Sequence, residues 1–567
     1  MTTHARPLAD WLAAASDAEL ATLFRARGVK ADAPWQDFFD AAEGLLDQGS
    51  LARVLPSLTA DEAAALTRAA AGGDAGAERE ALVQLALLRP DGGVPPEVAA
   101  ALAGRTAPAP EPALASPLSD DGASAHAAER AFTTVGAVAD LLLAARDRPF
   151  ALLTGGTVSA GEKRLLSEAG LSVDGVDQLL ALAIDAGLAR VDDRRLRTTT
   201  RSEEWLRSSA AERWVVLAGA FRDALPRGVR DPAGGWTPFA SWPGAHPWDA
   251  GWPERSADLL ERARLLGLIA DDGSEPEWSE PLRTGASPDA SSLARLLPAE
   301  VDRIFLQNDL SAISPGPLAP ALDVRLRTIA ARESAAQASS YRFTPESVAR
   351  ALVLGETEES ILEFLGGLSL TGIPQPLAYL VARTAQRHGL VRVSIDEETG
   401  RTRIESDDQT LIDAMAVDQA LRPLALTAHV ASLTTRIARE TVYWALTDAR
   451  YPATLVDEHG AVVSGERHPL LDPVTPSGPD HSSLIATLRS HQGPDVDAAW
   501  LDRELDAAVR AKAVLRVTVG MPDGSTRDLL LEATGLGGGR LRGRDRAADV
   551  ERTLPVSSIR AATIVAQ

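Results

Sequence analysis

The segment from Arg105 to Asp121, RTAPAPEPALASPLSDD, forbids one continuous fold for this chain. Its four prolines stand among alanine and serine without periodic apolar residues, which is the composition of an extended, semi-rigid linker. Leu470 to Asp480, with three prolines and a glycine, reads as a second linker. The 567 residues would overfill a single hydrophobic core in any case, and roughly three to five domains are expected. Aromatic residues are only 4% of the chain, so many small helical units are favoured over a large sandwich.

The first unit, 1–104, reads as a string of helices. Ser16 with Glu19, and Thr59 with Glu62, each fit a capping box, in which hydroxyl and carboxylate satisfy each other's free amides. Trp35, Phe38, Phe39, Leu45 and Leu46 fall between them at helical spacing. A winged-helix-like unit and a plain helical bundle both remain open here. The linker extends over 105–130. A second unit, 131–200, has helices at 135–145, 160–168 and 176–186, with Gly187 as a C-cap and a hairpin at 188–200, which is the winged-helix order. The third, 201–297, is helical or winged-helix-like, with 269–278 as a second small wing. Trp236, Trp242, Trp248 and Trp252 stand there among prolines, and either stack on single-stranded bases or bury their rings in their own domain.

Ile304 to Leu318, IFLQNDLSAISPGPL, alternates Phe305, Gln307, Asp309, Ser311 and Ile313 before a proline-glycine turn, as a strand delivered into a rigid corner would. Asn308 and Asp309 either fix the strand end by local hydrogen bonds or face a partner. Thr344 caps a further helix with Pro345 at its first position. A helix from Ile373 ends at His388, with Val391 to Val393 as the exit strand. Arg383, Arg387, His388 and Arg392 gather near that exit, as a nucleic-acid-facing patch or as a solvated helix end. Beyond it, 404–463 reads as helix 408–415, strand 421–430, helix 434–449 and strand 451–457.

The runs QNDLSAISPGPL, SSYRFTPESVARAL and IPQPLAYLVARTAQRHGLVRV resemble actinobacterial helicase-associated proteins related to the amino-terminal part of XPB-type DNA helicases. The resemblance is carried by Gln307, Asn308, Asp309, Pro315, Gly316 and Pro317, and it implies a helicase-associated domain over 298–465 and a companion of a helicase. After a linker at 466–494, the unit 495–567 opens with a helix at 499–512. Strands at 514–519, 527–534, 540–544 and 559–565 follow, with a hairpin turn at Pro522 to Ser525. This order resembles the small SH3-like barrels of the WYL family, although Arg540, Leu541 and Arg542 stand where that signature would lie. Arg540, Arg542, Arg544 and Arg546 alternate, so several share one face, for phosphate contact or for pairing with Asp545, Asp549 and Glu551.

The fold class expected is therefore mainly α, multidomain α+β, with tandem winged-helix-like units, a helicase-associated α/β domain and a small C-terminal SH3-like β-barrel. The net charge of -22 repels a phosphate backbone at long range, so nucleic-acid contact must come from local basic surface. The absence of cysteine removes disulfides, thiolate nucleophiles and cysteine metal sites. No signal peptide or membrane span is legible, and a cytoplasmic protein is expected. The stretch GTVSAGEK, Gly156 to Lys163, imitates a phosphate loop but places Glu162 where the lysine belongs and Arg164 after Lys163. The expectation is thus a non-enzymatic protein without cofactor, whose partners are DNA and/or a helicase or nuclease. A transcriptional regulator sensing a nucleotide-like ligand and an acidic scaffold are the alternatives.

Overall fold

Local signals place most helix starts. In the computed structural model, Ser16 and Thr59 accept from the amides of Glu19 and Glu62, whose carboxylates return to the cap amides at 2.7 and 2.9 Å. The structure describes residues 5–565 apart from 107–115, 172, 336–337, 458, 464–466, 474–477, 492–500, 502–504, 507, 511 and 522–524. It is multidomain and α+β, and none of its described helices is long and apolar enough to cross a membrane.

From Ala5 to residue 106 the described residues hold helices and no strand, so no wing forms there. The core of this first unit, built on Leu20, Phe24, Phe38 and Leu45, also contains Leu484, Ile485 and Leu488 from the helix Ser482–Ser490. The stretch read as a second linker is therefore a strap. It first runs along the hairpin at 189–198, where the Leu471 amide donates to Thr198 O at 3.1 Å and Arg197 donates to Pro469 O at 2.7 Å. Its helix then docks on the first unit, where Arg489 donates to Ala13 O at 2.6 Å and pairs with Asp17 at 3.0 Å.

The long helix Asp121–Asp147 begins inside the segment read as the first linker, because the Asp120 carboxylate accepts from the Ala123 amide at 2.8 Å and so starts it early. It is followed by strand Phe150–Ala151, helices Ala160–Glu168 and Val176–Asp185, and the strands Ala189–Asp192 and Arg195–Thr198. Residues 201–297 do not form a separate body, because Trp214, Leu217 and Phe221 share one core with Val138, Leu142 and Leu182. No second wing forms at 269–278. The Ala270 amide turns back on Ser274 O at 2.8 Å, and Glu275 bridges Leu118.

Residues 301–456 hold two cores. In one, the helices Pro320–Ile329, Pro345–Val353, Glu358–Leu368 and Gln375–Arg387 pack on a four-stranded antiparallel sheet ordered 305–306, 311–314, 339–342, 331–335. In the other, the helices Gln409–Val417 and Arg439–Asp448 cover a six-stranded sheet in which Val391–Ile395 and Ala453–Val456 are neighbours and run parallel. The single strand expected at 421–430 is broken. Pro423 lies in the short helix Gln419–Leu424, and Ala425 turns the chain with φ 46° before strands Thr427–Ala428 and Ser432–Thr435.

At the C-terminus five antiparallel strands follow the order 550–555, 540–545, 526–537, 514–520, 559–564. Register shifts at Ala533/Gly535 and Thr518/Val519 bend this sheet. Among the described residues its edge strands do not pair, so the expected closed barrel is an open sheet. The hairpin turn Pro522 to Gly524 and much of the helix at 499–512 lie outside the described residues.

Leu488 is fully buried, so Leu488→Ala removes the strap's anchor from the first core. A loss of about 2–5 kcal/mol is expected in denaturant unfolding, together with faster amide exchange over 482–490.

Candidate nucleic-acid interface

The long helix carries Glu129, Phe132, Gly136, Asp140, Leu143 and Asp147 at spacings of three and four, hence on one face. That face forms one wall of a cavity of about 2540 Å³. The opposite wall is built from residues 298–301, 315–334 and 345–356, the C-terminal ends of helices Gln375–Arg387 and Arg439–Asp448, and the start of the strap. Pro315, Gly316 and Pro317 lie on its rim. There the Val301 amide donates to Pro317 O at 2.8 Å, and a Cβ on Gly316 would meet Val301 Cγ1 at 3.3 Å.

The two walls are tied by charge. Arg327 donates to Asp140 Oδ1 at 2.7 Å and Arg332 to Asp140 Oδ2. Arg350 approaches Asp147 at 3.6 Å. Behind them the Tyr341 hydroxyl donates to Asp323 at 2.6 Å, and burial pushes that phenol above its ordinary value. Burial also holds the Arg213 guanidinium down at about 10, while it donates to Trp205 O at 3.0 Å and to Leu206 O.

Eleven arginines and eight carboxylates line the cavity, a local excess of three positive charges in a chain of net charge -22. Arg383 and Arg387, one turn apart on Gln375–Arg387, are exposed there and have no ion pair among the described residues. His388 lines the same wall, but burial lowers its pKa and it adds no charge at neutral pH. Arg392 separates from this group. It does not line the cavity and faces Asp407 at 3.4 Å. Arg450 and Arg467, not singled out in the sequence, join the cavity, Arg467 stacking over Trp444 at 5.6 Å. Nothing local marks them, because they reach the site through the parallel pairing of 453–456 with 391–395.

Gln307, Asn308 and Asp309 are exposed in the turn between strands Phe305–Leu306 and Ser311–Ser314. The Ser311 hydroxyl and amide donate to Asp309 at 2.5 and 3.1 Å, which holds that carboxyl below its ordinary range. Asp309 thus fixes the strand end. Arg540, Arg542 and Arg544 share the exposed face of the C-terminal sheet, alternating with buried Leu541, Gly543 and Asp545. Arg544 pairs with Asp549 at 2.8 Å and Arg546 with Glu532 at 3.5 Å, whereas Arg540 and Arg542 have no ion pair among the described residues.

Two other candidates are occupied by structure. Lys163 of the phosphate-loop imitation pairs with Asp177 at 2.7 Å, and Glu162 is buried against Arg148. Trp236, Trp242 and Trp252 are buried, the last two donating to Thr237 O and Trp242 O at 2.8 and 2.7 Å, so their rings cannot stack on bases. Trp248 is half-buried and donates to Thr106 O at 3.2 Å.

In comparison with known families, residues 304–429 match the helicase conserved C-terminal domain, which covers the first core of 301–456 and the leading part of the second. This supports a helicase-associated family and, in general terms, contact with nucleic acid. No curated protein matches the chain.

Tyr341→Phe removes the donor that satisfies Asp323 in the cavity wall. Unfolding in denaturant is expected to show a loss of about 1–3 kcal/mol.

Proposed function

We propose that this protein is a non-catalytic, nucleic-acid-associated adaptor in genome maintenance, and that a single strand enters the cavity beside the helicase C-terminal-like region. The observation that carries this reading is the inverted charge of the cavity against the acidity of the whole chain. A phosphate backbone is repelled by most of this surface and gains counterion release only where arginines outnumber carboxylates. Arg383, Arg387 and Arg450 supply exposed guanidinium groups, and Trp444 offers a partly exposed ring in the same wall. The resemblance to proteins related to the amino-terminal part of XPB-type helicases suits a role beside a helicase or nuclease that brings its own motor. The C-terminal sheet, WYL-like in strand order, presents Arg540 and Arg542 as a second phosphate contact.

A regulator that reads duplex DNA through tandem winged helices is less well supported. The helix that would enter a groove, Val176–Asp185, packs under the helices Ala210–Ala224 and Trp252–Leu265 and carries Asp177 and Asp185 but no lysine or arginine. It offers a groove neither a free face nor positive charge.

The test is fluorescence anisotropy with single-stranded, forked and duplex DNA of about 20 nucleotides, across a salt series. The single strand is expected to bind best. The double substitution Arg383→Ala/Arg387→Ala is expected to weaken it roughly tenfold at low salt and to flatten the salt slope by about 1.4. Absence of binding even at low salt overturns the reading. An ATPase assay with DNA is expected to show no turnover, and turnover abolished by Lys163→Ala would overturn the non-catalytic assignment.

A further inference from the structure

The Asp140 carboxylate uses its two oxygens separately, one for Arg327 and one for Arg332. A phosphodiester presents the same pattern to a protein, one negative charge shared over two non-bridging oxygens, each able to accept from a guanidinium. The two arginines lie in one cavity wall and the carboxylate in the other, all three side chains about five-sixths buried. Two helical turns on, roughly 10 Å along the same face, Asp147 approaches Arg350 at 3.6 Å. The long helix therefore offers a line of acids to the arginines that line the cavity.

We propose that Asp140 is an intramolecular stand-in for a backbone phosphate. It holds Arg327 and Arg332 when the cavity is empty and must be displaced before a nucleic-acid strand can use them. This rests on the cavity being the nucleic-acid site. The device couples binding to movement, because the exchange releases a contact between the helical unit and residues 301–456. It also sets a threshold. A strand engages first on the unpaired Arg383 and Arg387, and only one that reaches Arg327 and Arg332 separates the two walls.

Asp140→Asn keeps the size of the side chain but removes the charge that competes with phosphate and leaves one acceptor oxygen for the two guanidinium groups. Anisotropy with a labelled oligothymidylate is expected to show binding roughly tenfold tighter than wild type, with a salt slope steeper by about 1.4 for two added phosphate contacts. Adding Arg327→Gln and Arg332→Gln should abolish the gain. In the wild-type protein, amide exchange over 136–143 and 331–334 should speed up when the oligonucleotide binds, a readout that needs no variant to fold. If wild type binds and loses binding with Arg383→Ala/Arg387→Ala, while Asp140→Asn binds no tighter and exchange at these segments is unchanged, the cavity reading stands and the displacement idea fails. If neither wild type nor Asp140→Asn binds any oligonucleotide, the cavity reading itself fails. Inorganic phosphate and ATP serve as competitors. Displacement of the oligonucleotide by either at micromolar concentration would reassign the arginines to a small phosphate ligand and overturn the strand proposal.

Discussion

The contact on which the two walls of the cavity turn is the carboxylate of Asp140 held between Arg327 and Arg332. It joins a side chain of the long helix to two from elements some 190 residues later in the chain. The two walls also meet where the helix Arg201–Arg207 packs against Pro320–Ile329, through the Val324 side chain, the Arg350 and Asp147 pair and the Glu300 contact to the Ala210 amide. An ion pair this enclosed repays its desolvation only when both partners stay hydrogen-bonded, and taking one partner away typically costs about 3–5 kcal/mol.

How much of this was legible follows from the range of each interaction. The capping boxes at Ser16 and Thr59 and the Thr344 cap are complete within four residues, and all three form as read. The strap was missed for the opposite reason. Its helix brings only Leu484, Ile485 and Leu488, too few to look like a core segment, and their partners begin at Ala5. The break in 421–430 was visible in Pro423 but outweighed by the β-favouring residues around it. At the site, Arg383 and Arg387 could be picked out as a local cluster. The cavity they face could not, since its other wall lies in a helix assigned to the separate unit 131–200. His388 looked basic in the sequence and is neutralised by burial, a property of the fold alone.

The tryptophans make the same point about function. Set among prolines, they look like a row of stacking platforms, yet Trp236, Trp242 and Trp252 are buried, and the last two spend their single donors on carbonyls of their own unit. What lines the cavity is mainly guanidinium, with the partly exposed Trp444 ring beside it, and neither reads base sequence. Such a lining is in keeping with the proposed strand contact beside a helicase C-terminal-like region.

The strap bears on the order in which the molecule is made. The unit that starts at Ala5 leaves the ribosome well ahead of the strap, but three side chains of its core lie at Leu484, Ile485 and Leu488. Until those arrive, apolar surface around Phe24 and Phe38 stays uncovered while the middle of the chain is synthesised and folds. A core begun near Ala5 is thus completed only when residues 484–488 arrive, several hundred residues of translation later.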